Sequence, residues 1–337
     1  MADKGDRRVV RRPTLEDVAA RAGVSRAMAS IVFRAAAGSR PETRERVFAA
    51  AAEIGYRPDT RARLLAGNGS RQLGVVFGMA GRFHSELLDG LYVAAKEAGH
   101  ELILSALTPS RDEATAVATL LDFRCGAVIL LEPGLIGLSA LSGRIPVTVV
   151  GWRTPNPAVD VIRASDGDGM RLAVAHLVGL GHLEIAHVDG GAGPDATARR
   201  RAYRTAMRAH GLDAHVRVVR GGDDLGSGVR ATRELLAGAA LPTAVIGYND
   251  DVAVGVVESL AFAGVRVPDD VSVVGWDDSG LASQFGIGLT TVRQDAAEMA
   301  RLAVQRSIDR MRETPVLDRE LVLPVSMVVR SSTDKAR

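Results

Sequence analysis

The stretch that decides the N-terminal part of the fold is Thr14–Arg34, which reads TLEDVAARAGVSRAMASIVFR. Thr14 can cap a first helix, because its hydroxyl can accept a hydrogen bond from a free backbone N–H of the first turn. Gly23 suits the end of that helix, since glycine adopts positive φ at little steric cost. Ser25 can then cap a second helix. The stretch therefore predicts two short helices joined by a tight turn.

The second helix of this pair carries different residue types on its two faces. Its predicted buried residues are Ala29, Val32 and Phe33. The opposite face carries Arg26, Ala27, Ser30, Ile31 and Arg34. A polar, basic second helix after a tight turn fits the major groove, so the stretch predicts DNA binding. An ordinary helical hairpin is the alternative interpretation.

The charge distribution agrees with a nucleic-acid module. Residues 1–70 hold 14 Lys and Arg against 8 Asp and Glu, whereas the whole chain of 337 residues has a formal net charge of +2. The sequence has neither a bilayer-spanning apolar run nor the apolar core of a signal peptide, so we expect a cytoplasmic protein without a membrane partner. Cys125 is the single cysteine, which excludes an internal disulfide.

Three motifs resemble the LacI-type (lactose-repressor) family of bacterial transcription regulators. They are T-L-E-D-V-A-x-x-A-G-V-S from Thr14, T-R-E-R-V at Thr43–Val47 and E-I-G-Y-R-P-D at Glu53–Asp59. The resemblance continues to about residue 330. It implies a homodimer that binds double-stranded operator DNA, most simply as a repressor. It also implies that a sugar-like small molecule controls the operator affinity.

The hydrophobic pattern of the sequence changes at Leu73. From there on, short apolar segments typical of strands alternate with predicted helices. Eight strands between Leu73 and Gly275 predict α/β architecture with parallel sheets, better divided into two doubly wound lobes than joined in one. The resemblance implies that these lobes are similar to periplasmic binding proteins. The predicted divisions are a disordered basic tail at 1–12, a headpiece at 13–58, a hinge helix and linker at 59–70, an effector-binding and dimerisation domain at 71–330 and a tail at 331–337.

The resemblance also implies which residues contact DNA. Arg26, Ala27 and Ile31 correspond to positions that read base edges, and Ile31 departs from the arginine that is common there. Ala62 and Leu65 match the hinge-helix positions that enter the minor groove. The predicted DNA-binding residues are Thr14, Leu15, Ser25, Arg26, Ala27, Ser30, Ile31, Arg34, Thr43, Ala62 and Leu65.

The ligand cleft is expected at the carboxyl ends of the strands, where open α/β folds bind ligands. The resemblance assigns to it Arg82, Phe83, Trp152, Asp195, Arg199, Asp223, Asn249 and Asp277. Carboxylates, an amide, an arginine and an aromatic ring suit a polyhydroxylated ligand. Arg82, Asp195 and Asp223 depart from the usual sugar pocket, so a charged ligand or a loss of sugar binding stays open. For Asp250 and Asp278 the alternative role is capping the following helix.

Two other classes of protein compete with this reading. An α/β enzyme is one, but G-G-A-G at 190–193 lacks the later glycines of a dinucleotide fingerprint. A small-molecule binding protein without a DNA role is the other, and it does not need residues 14–65. His182 and His187 flank a strand rather than sharing a helix face, so we expect no metal site, and no cofactor is predicted.

Overall fold

The computed structural model describes residues 13–33, 38–56, 70–79, 81–131, 138, 141, 143–283, 286 and 288–337. It divides the chain into two compact units, Met1–Ser70 and Arg71–Arg337. The predicted basic tail at 1–12, Arg34 and the hinge residues Ala62 and Leu65 lie outside the described residues.

The first unit contains three helices, α1 (Leu15–Ala22), α2 (Arg26–Phe33) and α3 (Pro41–Glu53). Thr14 caps α1 through a capping box, in which the Asp17 backbone N–H donates to Oγ1 and the Thr14 backbone N–H donates to the Asp17 carboxylate. Gly23 ends α1 with φ 64°. The helix–turn–helix arrangement therefore forms where the cap residues predict it.

The core of this unit is small and consists mainly of alanine and valine side chains. Every one of the three helices contributes buried side chains, among them Val18 of α1, Ala29 of α2 and Val47 of α3. Phe33 closes the core, with its ring centroid 5.6 Å from that of Phe48 and 5.5 Å from that of Tyr56. Small side chains let the three helices approach closely.

The second unit consists of two lobes, each built on a six-stranded sheet. Lobe 1 has the strand order β11-β5-β4-β3-β1-β2, and lobe 2 has the order β12-β10-β9-β8-β6-β7. The strands are β1 (Gln72–Gly78), β2 (Glu101–Leu107), β3 (Ala127–Leu130), β4 (Val147–Val150), β5 (Val159–Ala164), β6 (Ile185–Val188), β7 (Arg217–Val219), β8 (Ala244–Ile246), β9 (Ser272–Asp277), β10 (Thr290–Arg293), β11 (Glu320–Leu323) and β12 (Ser326–Val328).

Parallel strand pairing dominates both sheets, and β10 with β12 is an antiparallel pair. Parallel neighbours need crossover connections, and helices supply them. Those helices are α4 (Arg82–Glu97), α5 (Glu113–Asp122), α6 (Asp166–Gly179), α7 (Pro194–Ala209), α8 (Leu225–Ala237), α9 (Asp250–Phe262) and α10 (Ala296–Met311). The prediction of two doubly wound parallel-sheet lobes is confirmed.

The chain passes between the lobes three times. It leaves lobe 1 after β5, returns from lobe 2 between β10 and α10, and crosses again between β11 and β12. Four strands were missed by the prediction of eight, namely β5, β10, β11 and β12. All four lie next to these crossings, where polar residues such as Asp160 and Arg163 interrupt the apolar pattern of β5.

The last residues of the chain, expected as a tail, pack against lobe 2 instead. Ser332 is 2% exposed, and its hydroxyl donates to the Val273 carbonyl at 2.6 Å. The backbone N–H of Ala336 donates to the Leu180 carbonyl at 2.9 Å. Backbone and hydroxyl groups make these contacts, so hydrophobic patterning did not reveal them. In the described part of the chain, no helix is both long and apolar enough to span a membrane.

Candidate functional site

The first group of candidate residues lies at the start of α2. Ser25 precedes this helix, and its hydroxyl accepts from the Met28 backbone N–H at 3.1 Å. Arg26 and Ala27 follow and are exposed, whereas Ser30 and Ile31 are half-buried. With Ala29 and Val32 buried against α1 and α3, this exposed face is the one that α2 can present to a groove.

Three further predicted DNA-contact residues lie at helix starts. Thr14 uses its hydroxyl for the cap of α1, and Leu15 packs against the core of the unit. Thr43 is half-buried in the first turn of α3, where its backbone N–H donates to the Arg40 carbonyl at 3.1 Å. Helix starts present free backbone N–H groups, which suit contacts with phosphate oxygens.

The second group of candidate residues lies at the carboxyl ends of neighbouring strands in lobe 2. Asp277 is the last residue of β9, and Asn249 follows the adjacent strand β8. Helix α7 brings Asp195 and Arg199 to the same place, where their charges interact with one another. Three of the predicted ligand residues, Asp195, Arg199 and Asp277, therefore form one charged cluster.

Arg199 is the buried centre of this cluster and is 6% exposed. Its Nε donates to Oδ1 of Asp166 at 3.2 Å, and its Nη1 donates to the Tyr248 carbonyl at 2.7 Å. The guanidinium carbon lies 4.7 Å from the ring centroid of Tyr248 and 4.4 Å from that of Trp276. Arg199 is therefore part of the packing of lobe 2 as well as a ligand candidate.

Burial and charge shift the pKa values around Arg199. Burial raises the pKa of Asp277 well above its usual range, although the positive charge of Arg199 opposes that shift. Burial likewise raises the pKa of Asp166 against the effect of Arg199. The hydroxyl of Tyr248 donates to Asp195. Asp166, Asp195 and Asp277 outnumber the one arginine, so carboxyl groups predominate among the charged side chains of the cluster.

Asn249 has the helix-capping role that was considered for its neighbour Asp250. Its Oδ1 accepts from the Val252 backbone N–H at 2.8 Å and so caps α9, and its Nδ2 donates to the backbone carbonyl of Asp223 at 2.8 Å. The side chain of Asp223 is itself exposed. The Asn249 amide therefore has both ends occupied within the described residues.

The capping alternative for Asp250 and Asp278 is wrong. Asp250 is fully buried and accepts from the hydroxyl of Thr291 at 2.6 Å and from the backbone N–H of Ser279 at 2.7 Å. Asp278 forms ion pairs with Arg293 and Arg330, each at 2.6 Å. Contacts with β10 and with the residues that follow β9 and β12 therefore occupy both carboxylates.

The predicted ligand residues of lobe 1 differ in their surroundings. Arg82 is exposed at the start of α4, and its backbone N–H donates to Oδ2 of Asp251 in lobe 2 at 3.3 Å. Phe83 packs against the core of lobe 1. Trp152, expected to cover a ligand ring, is 5% exposed within the apolar core around β3 and β4, which leaves it little free surface.

Sequence reasoning missed four residues at this site: Asp166, Tyr248, Trp276 and Gln294. Tyr248 and Trp276 immediately precede Asn249 and Asp277, so their place at strand ends was visible in the sequence. Gln294 follows β10, a strand that the prediction omitted. Asp166 follows β5, which was also omitted, so its approach to Arg199 had no signal.

Comparisons with known proteins match two stretches of the chain to described families. Residues 14–59 match the family described as bacterial regulatory proteins, lacI family, and residues 174–333 match the periplasmic binding protein-like domain. The HTH-type transcriptional regulator AscG of Escherichia coli K12 is 32% identical over 306 residues, which cover 88% of this chain and 91% of that protein.

Two solved structures extend the likeness over nearly the whole chain. One is the lac repressor dimer bound to operator and the anti-inducer ONPF, with TM-score 0.85 and 32% identity, covering 96% of this chain and 100% of that one. The other is the complex of the transcriptional regulator CelR with cellobiose, with TM-score 0.71 and 29% identity, covering 95% and 100%. These relatives are regulators and not enzymes. The chain therefore belongs to the LacI family of DNA-binding transcriptional regulators.

Proposed function

We propose that this protein is a repressor whose affinity for an operator is set by a small polyhydroxylated molecule bound between the two lobes. The DNA-binding half of the proposal rests on α2, whose exposed face begins with Arg26 and Ala27. Arginine can bond guanine through two N–H groups, and the Ala27 methyl can contact a thymine methyl. Because bacterial DNA lies in the cytoplasm, the proposal also places the protein there.

The charged cluster around Arg199 carries the ligand half of the proposal. An ionised carboxylate accepts hydrogen bonds, and a protonated carboxyl group, which the raised pKa of Asp277 favours, accepts and donates them. A partner that offers both donors and acceptors therefore suits Asp277 and Asp195. Sugar hydroxyls donate and accept and amines donate, whereas a phosphate group brings negative charge to a cluster that is already rich in carboxyl groups. The cluster therefore favours a neutral or amino sugar over a phosphosugar.

A dimer is part of the proposal, because a single headpiece offers too few base contacts for a specific operator. Two headpieces on a twofold axis read two half-sites at a fixed spacing. A ligand that changes the angle between the lobes changes that spacing. One of the two α2 helices then no longer fits its half-site.

Thermal denaturation of the full-length chain with single sugars tests the ligand half. The probes are cellobiose, glucose, ribose, glucosamine and glucose 6-phosphate. We expect a neutral or amino sugar to raise the melting temperature, because a ligand at 100 times its Kd stabilises the folded state by ~2.7 kcal/mol. We expect glucose 6-phosphate to have no effect.

Two matched variants locate the ligand. Asp277→Asn changes the carboxylate at the carboxyl end of β9. Asp270→Asn changes an exposed carboxylate that lies just before the start of the same strand. The proposal predicts that the sugar loses its effect on Asp277→Asn and keeps it on Asp270→Asn. An equal effect on both variants contradicts the proposed site.

A further inference from the structure

Two acidic residues share the first turn of α1 and have different partners. Asp17 is held by Thr14, whose backbone N–H and hydroxyl donate to Asp17 Oδ2 at 2.7 and 2.8 Å. Glu16 makes no part of that capping box. Its Oε1 lies 2.6 Å from Nε of Arg26, the first residue of α2.

This ion pair offsets an unfavourable electrostatic interaction of Arg26 with its own helix. A cation at a helix N-terminus faces the positive end of the helix dipole, and the first turn of α2 contains no acidic residue. Glu16 supplies the missing negative charge from a neighbouring helix. Both side chains stay accessible, with 71% of Arg26 and 57% of Glu16 exposed.

The geometry of the pair leaves the DNA-reading end of Arg26 available. Glu16 lies against Nε in an ion pair, while the two terminal nitrogens make no hydrogen bond within the described residues. Those nitrogens carry the N–H groups that can reach O6 and N7 of guanine end-on. A side chain held at Nε also loses less conformational freedom when it binds a base.

We propose that Glu16 is a positioning residue for base recognition, which holds Arg26 by Nε and presents its terminal N–H groups to a guanine in the major groove. This inference rests on the proposed reading of bases by α2. Glu16 also places a negative charge near the DNA backbone. It therefore weakens contacts of Arg26 with phosphates at sites where no guanine is available.

The matched control is a second exposed ion pair in the same unit. Arg21 of α1 donates from Nε to Oε2 of Glu53 of α3 at 2.9 Å, and both side chains are more than half exposed. This pair does not involve α2. Glu16→Gln and Glu53→Gln thus remove one carboxylate each from exposed ion pairs of the same unit.

The experiment is a selection from randomised duplex DNA with the full-length protein, its Glu16→Gln, Glu53→Gln and Arg26→Ala variants, and the double variant of Glu16 and Arg26. Arg26→Ala identifies the base pair at which guanine is read. We expect Glu16→Gln to reduce guanine preference there by about two- to fivefold, the range of a surface ion pair. Binding to non-specific DNA should not weaken, and Glu53→Gln should keep the preference of the parent.

The double variant separates positioning from direct contact. With Arg26 already replaced, Glu16→Gln should change no base preference further. An unchanged guanine preference in the single variant Glu16→Gln overturns the inference, as does an equal loss in the presence and absence of Arg26. If Arg26→Ala itself alters no base preference, the proposed reading of bases by α2 fails and this inference fails with it.

Discussion

Gln294 and Asp277 are joined by two hydrogen bonds: the side-chain amide of Gln294 donates to Oδ1 of Asp277 at 2.7 Å, and its backbone N–H donates to the Asp277 carbonyl at 3.3 Å. Gln294 lies where the chain leaves lobe 2 for α10 in lobe 1. Asp277 is at the same time a candidate ligand residue. A donor that binds Asp277 therefore acts on a residue bonded directly to a crossing between the lobes.

A second contact near Asp277 joins the two lobes directly, and it is also polar. The backbone N–H of Gly280, which follows Asp277 in lobe 2, donates to Oε1 of Glu86 in lobe 1 at 2.8 Å. Polar contacts between lobes can be exchanged at small free-energy cost, because water replaces the lost partner at the surface. We therefore expect that the two lobes can change their relative angle at these contacts without disrupting either hydrophobic core.

Arg26→Ala should weaken binding to the preferred DNA site by ~1–3 kcal/mol and relax the preference at one base pair. The reason is the loss of a bidentate contact with guanine. Binding of the variant to a set of single-base-pair substitutions, measured at one fixed salt concentration, checks this. A uniform loss on all sequences shows that Arg26 contacts phosphate alone.

Arg199→Ala should destabilise lobe 2 by about 3–5 kcal/mol, because it leaves Asp166 and the Tyr248 carbonyl buried without their partner. Arg208→Ala on the same helix removes an exposed pair with Asp213 and should cost at most ~1 kcal/mol. Urea unfolding midpoints of the two variants compare these effects. Equal midpoints contradict a structural role for Arg199, and a large difference means that Asp277 is the better residue for testing the ligand.

His187 should make the protein less stable as the pH falls from 6.5 to 4. Burial lowers the pKa of His187 from 6.5 to about 4, so the unfolded chain binds a proton in this range that the folded chain does not. The free energy of unfolding then falls with falling pH, by ~3 kcal/mol from this group over the whole range. The contribution becomes constant only above about pH 7.5, where the unfolded histidine is also neutral.

His187→Asn isolates that contribution, since an asparagine Nδ2 can keep the donor that His187 Nδ1 offers to the Ile246 carbonyl. The free energy of unfolding of the parent, relative to this variant, should decrease from pH 7 to pH 4. Urea unfolding at several pH values measures it. Parallel curves for the two proteins mean that His187 does not titrate differently on folding.

The sequence predicted the elements whose signals are local. The cap residues Thr14 and Ser25 and the helix-ending Gly23 predicted the helix–turn–helix arrangement, because caps depend on neighbouring residues alone. Apolar runs predicted the buried strands of both sheets for the same reason. β5 was missed, since the burial of its Asp160 depends on Arg306 and Arg310, about 150 residues later.

The location of the candidate ligand site could be predicted from the sequence. The contacts and burial of its residues could be predicted less well. Strand ends marked Asn249 and Asp277, but the sequence did not reveal that Asn249 caps α9 or that the Arg199 guanidinium packs over two aromatic rings. Those properties depend on packing between α6, α7 and the sheet. The family resemblance assigned Trp152 to the ligand site, and nothing local in the sequence indicated that it is buried.

The coupling of ligand to DNA is tested most directly by measuring operator affinity with and without the sugar that stabilises the protein. The operator is the duplex enriched from randomised DNA. Ligand binding should change this affinity by about 5- to 150-fold, and operator DNA should change the ligand affinity by the same factor. Asp277→Asn should bind the operator like the ligand-free parent and show no response. An operator affinity that stays constant while the sugar saturates the parent protein contradicts the coupling between cleft and headpiece.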